Sequence, residues 1–223
     1  MEAVYEKTEK LNGVTTSDLL QMLQKIASQH QTELGSGREE MRRRGLLWMI
    51  AQQKLILCRT PVNGESVTIR TWLSEVRHGM YLRQYEIAAA GDRICRAAAI
   101  WTLVDAEKRT LFTCPPAVPF YQAEGQLNRF PLLRPMKPET TYSFTVPAAY
   151  LDENDHMNNA RYFDAVAPIL PKDGVLHTAQ VDYHAEAREG ESLAIGYAEE
   201  GSTCLIQAQS DRGLCFRMKL EYE

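Results

Sequence analysis

At 223 residues, with 44% hydrophobic and 24% charged side chains, the chain has ordinary globular composition and the length to bury a core in one large domain or in two of about 100 to 125 residues each. A formal charge of -4 argues against a general nucleic-acid binder, and no apolar run approaches the roughly 18 residues of a membrane span. The five cysteines, Cys58, Cys95, Cys114, Cys204 and Cys215, are odd in number and hold no Cys-x-x-Cys pair, so they suggest neither a disulfide framework nor a metal knuckle. Reduced thiols and a charged start without an apolar signal core, residues 1–7, lead to the expectation of a soluble, cytoplasmic protein.

Residues 3–11 alternate loosely and predict a first strand, closed by Gly13. The cluster Thr15-Thr16-Ser17-Asp18 then offers an N-cap. Beyond it Leu19, Leu20, Leu23, Ile26 and Ala27 form an apolar stripe opposite Gln21, Gln24, Lys25 and Gln29, which predicts a helix with one buried face. An arginine-rich run, Arg38, Arg42, Arg43 and Arg44, reads either as a solvated face or as a basic docking surface. Two apolar runs, 46–50 and 54–59, predict strands that end at the turn Pro61-Val62-Asn63-Gly64. A meander of strands over 66–76, 79–90, 93–105 and a shorter 110–114 follows, and its short links imply antiparallel pairing.

Pro115, Pro116, Pro119, Pro131, Pro135 and Pro138 crowd a segment of weak periodicity, which predicts a linker over 119–138 between domains spanning 1–118 and 139–223. After it the same order returns: a strand over 141–146, a helix from about Asn159, and strands over 179–187, 192–199, 204–210 and 215–221. The halves therefore look like a tandem repeat, and periodicity alone supports an α+β class. Pro168 predicts an end or kink of the second helix just before it.

The chemistry concentrates between the second half's first strand and its helix. Asp152, Asn154 and His156 stand at alternate positions, so a locally extended backbone would point all three to one side. Asn158-Asn159 precedes Phe163, Val166 and Leu170 at helical spacing, which sets these polar groups beside a helix start whose backbone N–H groups suit a developing oxyanion. A plain turn and cap competes with this reading. A calcium loop fits poorly, because Met157 and Phe163 stand where its glycine and its terminal Glu belong. A zinc site fits worse, with one His and no spaced partner, so no metal is expected.

The pattern Asp152-x-Asn154-x-His156-x-Asn158-Asn159-x-x-Tyr162 resembles the signature of plant and bacterial acyl-ACP thioesterases. Arg44-Gly45-Leu46-Leu47-Trp48, the stretch 64–73 and Val181-Asp182-Tyr183-His184-Ala185-Glu186-Ala187 fall in that family's order, so the resemblance covers nearly the whole chain. It implies a double hotdog, two tandem repeats each wrapping a curved antiparallel sheet around a central helix, with the acyl chain bound by the first repeat and catalysis in the second. It further implies hydrolysis of fatty acyl-ACP to free fatty acid, no cofactor, and a site of Asp152, Asn154, His156 and Glu186. The working mechanism has Glu186 activating water, Asp152 positioning the motif or attacking directly, and Asn154 and His156 orienting and polarising the thioester. Backbone N–H groups near Asn158 and Asn159 are expected to complete the oxyanion site. Ala187 stands where many plant members carry a cysteine, which disfavours a thiol nucleophile here. Because acyl carrier protein is acidic, Arg42, Arg43 and Arg44 become candidates for docking it. An acyl-CoA or other small acyl thioester hydrolase, and a non-catalytic acyl-carrier or lipid-binding hotdog protein, are the alternatives. A homodimer stays open.

Overall fold

The computed structural model of the chain describes residues 2–113, 118–171 and 174–223. Cys114, Pro115 and Pro116 lie outside the described residues. Two compact units divide the chain, Met1–Phe130 and Pro131–Glu223.

The first unit begins with β1 (Val4–Lys10), α1 (Thr16–Glu33) and α2 (Arg38–Arg43) and continues through β2 (Leu46–Leu57), β3 (Ser66–Arg77), β4 (Met80–Ala89) and β5 (Asp92–Asp105). Helix α1 starts where its capping residues dictate. Thr15 Oγ1 accepts from Asp18 N–H at 3.1 Å, and the Asp18 carboxylate accepts from Thr15 N–H at 3.1 Å, a reciprocal capping box. Leu19, Leu20, Leu23, Ile26 and Ala27 are all buried, and the helix packs on β3 and β1 through that stripe. The strands pair antiparallel in the order β1-β3-β4-β5-β2. Strand β2 is continuous where the sequence predicts two runs, because a bulge between Ile50 and Gln52 resets the alternation. Of the strand predicted over 110–114, the described residues 110–113 hold one bridge, between Leu111 and Val104. Helix α2, which the sequence reading did not predict, occupies the arginine-rich run.

The second unit comprises β6 (Thr140–Thr145), α3 (Arg161–Val166), β7 (Leu176–Tyr183), β8 (Ser192–Glu200), β9 (Thr203–Ser210) and β10 (Gly213–Tyr222). Its strands run β6-β8-β9-β10-β7, again all antiparallel. Both units therefore follow one plan: a strand, a helix, a strand that pairs with the last of three meander strands, and the meander itself. The chain is a double hotdog of α+β class. Helix α3 ends at Val166, two residues before Pro168, which sits in a 3-10 turn over Ala167–Ile169.

The Pro-rich segment is tied to both units by hydrogen bonds that its composition does not announce. Gln84 exchanges bonds with Leu127, its Nε2 donating to the carbonyl at 2.7 Å, and Phe130 packs against Leu82, Ala98 and Ile100. From Pro131 onward the contacts belong to the second unit, where Gln180 Nε2 donates to Pro131 O at 2.8 Å and Leu133 N–H donates to the buried Asp182 Oδ2 at 2.5 Å.

Candidate active site

Between β6 and α3 the chain closes a tight loop in place of the extended run expected from the sequence. Asp152 N–H donates to His156 O at 2.7 Å, Asp155 N–H to Asp152 O at 3.1 Å, and Leu151 bridges Met157. Asp155 takes a left-handed φ of 59°, a conformation that Asp tolerates better than most residues. The Asp152 carboxylate folds back on its own loop, Oδ1 accepting from Asn154 N–H at 2.7 Å and from His156 N–H at 3.4 Å. An Asx turn therefore gathers Asp152, Asn154 and His156, and the physical reason is that a carboxylate satisfies nearby backbone donors better than a strand edge would.

Glu186 reaches this loop from elsewhere in the chain. Strand β7 ends at Tyr183, short of the 187 expected from the sequence, so Glu186 lies in the connection to β8. His184 is exposed, and Asp182 is buried against Leu133. The turn out of β7 is fixed by His184 and Ala185 N–H groups, which donate to Cys215 O at 2.8 and 3.1 Å. Ala187 then joins the two loops: its carbonyl accepts from Met157 N–H at 2.8 Å and its N–H donates to Tyr162 Oη at 3.2 Å. Tyr162, on α3, is wedged edge-on against Tyr183 and Phe216 with ring centroids 5.4 and 5.1 Å away. With the backbones so held, His156 Nε2 stands 3.1 Å from Glu186 Oε2, their side chains 17% and 26% exposed. An ionised carboxylate facing Nε2 requires that nitrogen to carry the proton.

The chain matches the acyl-ACP thioesterase N-terminal domain over residues 3–119 and the acyl-ACP thioesterase C-terminal domain over residues 134–221. It belongs to the acyl-ACP thioesterase family. Among curated members, a chloroplastic acyl-(acyl-carrier-protein) hydrolase from Cuphea viscosissima is 26% identical over 161 residues, covering 66% of this chain and 39% of that protein. Chloroplastic oleoyl-acyl carrier protein thioesterase 1 of Arabidopsis thaliana is 26% identical over 220 residues, covering 85% and 60%. The chain thus spans about half the length of these curated relatives. Two solved structures carry its fold: an acyl-ACP thioesterase from Bacteroides thetaiotaomicron, at TM-score 0.82 and 17% identity over 99% of this chain and 98% of that one, and a 12:0-ACP thioesterase from Umbellularia californica, at TM-score 0.82 and 17% identity over 100% and 98%.

Other expectations drawn from the sequence fare differently. Asn158 closes the turn ahead of α3: its N–H donates to Tyr150 O at 2.9 Å and its Oδ1 accepts from Ala160 N–H at 2.9 Å. The Asn158 N–H is therefore committed to Tyr150, which corrects its expected role as an oxyanion donor. Helix α3 begins at Arg161, two residues later than predicted, and Asn159 contributes its carbonyl to Tyr183 Oη–H at 2.9 Å. Burial pushes the Cys95 thiol up to about 12 and the Cys204 thiol up to about 11, and it raises Cys215 as well. These are structural thiols. Arg42, Arg43 and Arg44 are exposed around the end of α2, with Arg43 paired to Glu40 at 3.0 Å. Sequence reasoning missed the supports of Glu186, above all Arg212, whose Nη2 donates to the Glu186 carbonyl. No local signal marks Arg212, since it comes from another hairpin.

Proposed function

We propose that this chain hydrolyses fatty acyl-ACP to free fatty acid and acyl carrier protein, with Glu186 as the general base. The observation that carries the reading is the 3.1 Å approach of His156 Nε2 to Glu186 Oε2 beside the Asx loop, in a member of the acyl-ACP thioesterase family. Glu186 takes a proton from water as the water oxygen attacks the thioester carbonyl carbon. The carbonyl electrons move onto oxygen, where the Asn154 amide is the assigned donor to the oxyanion. Collapse of the tetrahedral species re-forms the carbonyl and breaks the carbon–sulfur bond, and the departing thiolate recovers the proton from Glu186. His156, donating through Nε2, orients the base. Asp152 organises the loop, a role supported by its Oδ1 being spent on the Asn154 and His156 N–H groups.

All four residues belong to the second unit, to which we assign the chemistry. The first, whose long helix α1 buries one face, is assigned the acyl chain. The exposed Arg42, Arg43 and Arg44 suit an acidic carrier. Free thiols at Cys58, Cys95, Cys204 and Cys215 are in keeping with a reducing, cytosolic setting.

The test is hydrolysis by the purified protein of acyl-ACPs and acyl-CoAs of graded chain length. An efficiency on acyl-ACP at least about tenfold above acyl-CoA is expected. Equal efficiencies would move the reading to a general acyl thioester hydrolase, and binding without turnover would make the chain an acyl-carrier module.

A further inference from the structure

Both ends of the peptide plane that follows Glu186 are held by side chains. At one end Ala187 N–H donates to Tyr162 Oη at 3.2 Å; at the other, Arg212 Nη2 donates to the Glu186 carbonyl oxygen. Arg212 lies in the turn between β9 and β10 and is itself fixed by Glu191, with Nε donating to Oε1 at 3.0 Å and Nη2 to Oε2 at 2.7 Å. Glu191 closes the same loop from its far side. Its Oε2 accepts from Arg188 N–H at 2.9 Å, and its backbone carbonyl accepts from Val146 N–H at 3.0 Å. The guanidinium fork is thus filled by a carboxylate and a carbonyl, an arrangement that a lysine ammonium cannot reproduce.

We propose that Arg212, held by Glu191, is a positioning residue that sets the Glu186 carboxylate against His156; the proposal rests on Glu186 being the general base. Tyr162 fixes the peptide plane from α3 and Arg212 from the β9–β10 turn, so rotation of that plane, which would swing the Glu186 side chain, is blocked on both sides. Misplacing a reacting group by about 1 Å costs on the order of a hundredfold in rate. The Arg212 side chain is 45% exposed, and exposed ion pairs contribute little to stability. Loss of Arg212 should therefore be felt in turnover more than in folding.

The test measures kcat and KM on one acyl thioester for Arg212→Ala, Arg212→Lys and Glu191→Gln, with Glu186→Gln and melting curves alongside. Arg212→Ala should lower kcat about ten- to hundredfold with KM changed less than about twofold. Arg212→Lys, which keeps the charge but not the fork, should recover only part of kcat. Glu191→Gln, which keeps the volume and frees the arginine, should lower kcat in the same manner and serves if Arg212→Ala fails to fold. Retained activity in Glu186→Gln overturns the general-base reading and this proposal with it. Activity lost there but retained in Arg212→Ala overturns the positioning role alone, and so does a loss that tracks the unfolded fraction or that falls on KM with kcat unchanged.

Discussion

Glu186 and His156 come together at 3.1 Å from positions thirty residues apart, and each gives the other a role that neither has alone. Glu186→Gln keeps shape and hydrogen bonding but removes the basic oxygen, so turnover should fall at least about a hundredfold with the fold intact. His156→Ala should fall by a comparable factor, since the carboxylate loses the donor that aims it. A raised KM at unchanged kcat, for either variant, would assign the residue to substrate binding. The thiols give the complementary expectation. Cys204 and Cys215 are buried and held protonated, so Cys204→Ala with Cys215→Ala should leave steady-state hydrolysis within about twofold, whereas abolished hydrolysis by folded protein would reopen a thiol mechanism. That Asp152, Asn154 and His156 are close neighbours was legible in the sequence. Their arrangement was not, because alternation describes a strand and the Asp152 carboxylate instead captures the N–H groups of its own loop.

Helix α1 was the most legible element, since stripe, cap and length agreed. Thr15→Ala removes the side-chain half of the capping box and should cost about 1 kcal/mol, read as a lower urea midpoint with kcat unchanged. Helix α2 was illegible because six residues carry too little periodicity, and its charges alternate in sign: Glu39 and Glu40 precede Arg42 and Arg43. If this end of α2 meets an acidic carrier, Arg42→Glu with Arg43→Glu should lower kcat/KM on acyl-ACP and flatten its dependence on salt, leaving small thioesters unaffected. An equal loss on both substrates would indicate damaged folding instead. Strand β7 shows how an element's end decides a site. The sequence pattern carried it through Ala187, but pairing with β10 stops at Tyr183, and the released residues turn back through Cys215 O to deliver Glu186.

At the scale of the molecule, two buried or clamped groups should make stability fall with acid in two successive windows. Arg83 Nη1 contacts His30 Nδ1 at 3.1 Å, so His30 is neutral with its proton on Nε2, facing Glu2 O at 3.2 Å. Burial first, and the Arg83 charge second, bring His30 from 6.5 down to about 4. Between those values the unfolded chain takes up a proton that the folded chain does not, so stability declines as pH falls through that range. Arg212 holds the Glu191 carboxyl down at about 2 against an ordinary 4.5, so its contribution is complete above the latter value and lost as pH drops toward the former. Urea midpoints taken across this range should therefore fall chiefly through the first window, with a smaller second stage, because the Arg212 side chain is 45% exposed and solvent screens its pair. His30→Gln, which preserves a donor and an acceptor without titrating, should flatten only the first stage, and Arg212→Ala only the second. An unchanged slope in His30→Gln would mean that other groups carry the acid response.

The repeat of strand, helix and meander, the buried face of α1 and the concentration of polar residues at 152–159 are all local: they follow from periodicity, turn chemistry and residue type within short windows. Tertiary structure alone decided what depends on distant partners. It turned the motif into an Asx loop, gave the Asn158 N–H to Tyr150, carried Glu186 past the end of β7, and brought Arg212 and Tyr162 to opposite ends of one peptide plane. A sequence window records which donors and acceptors exist; which of them pair is settled by closing loops across strands, and that geometry is set by the whole sheet.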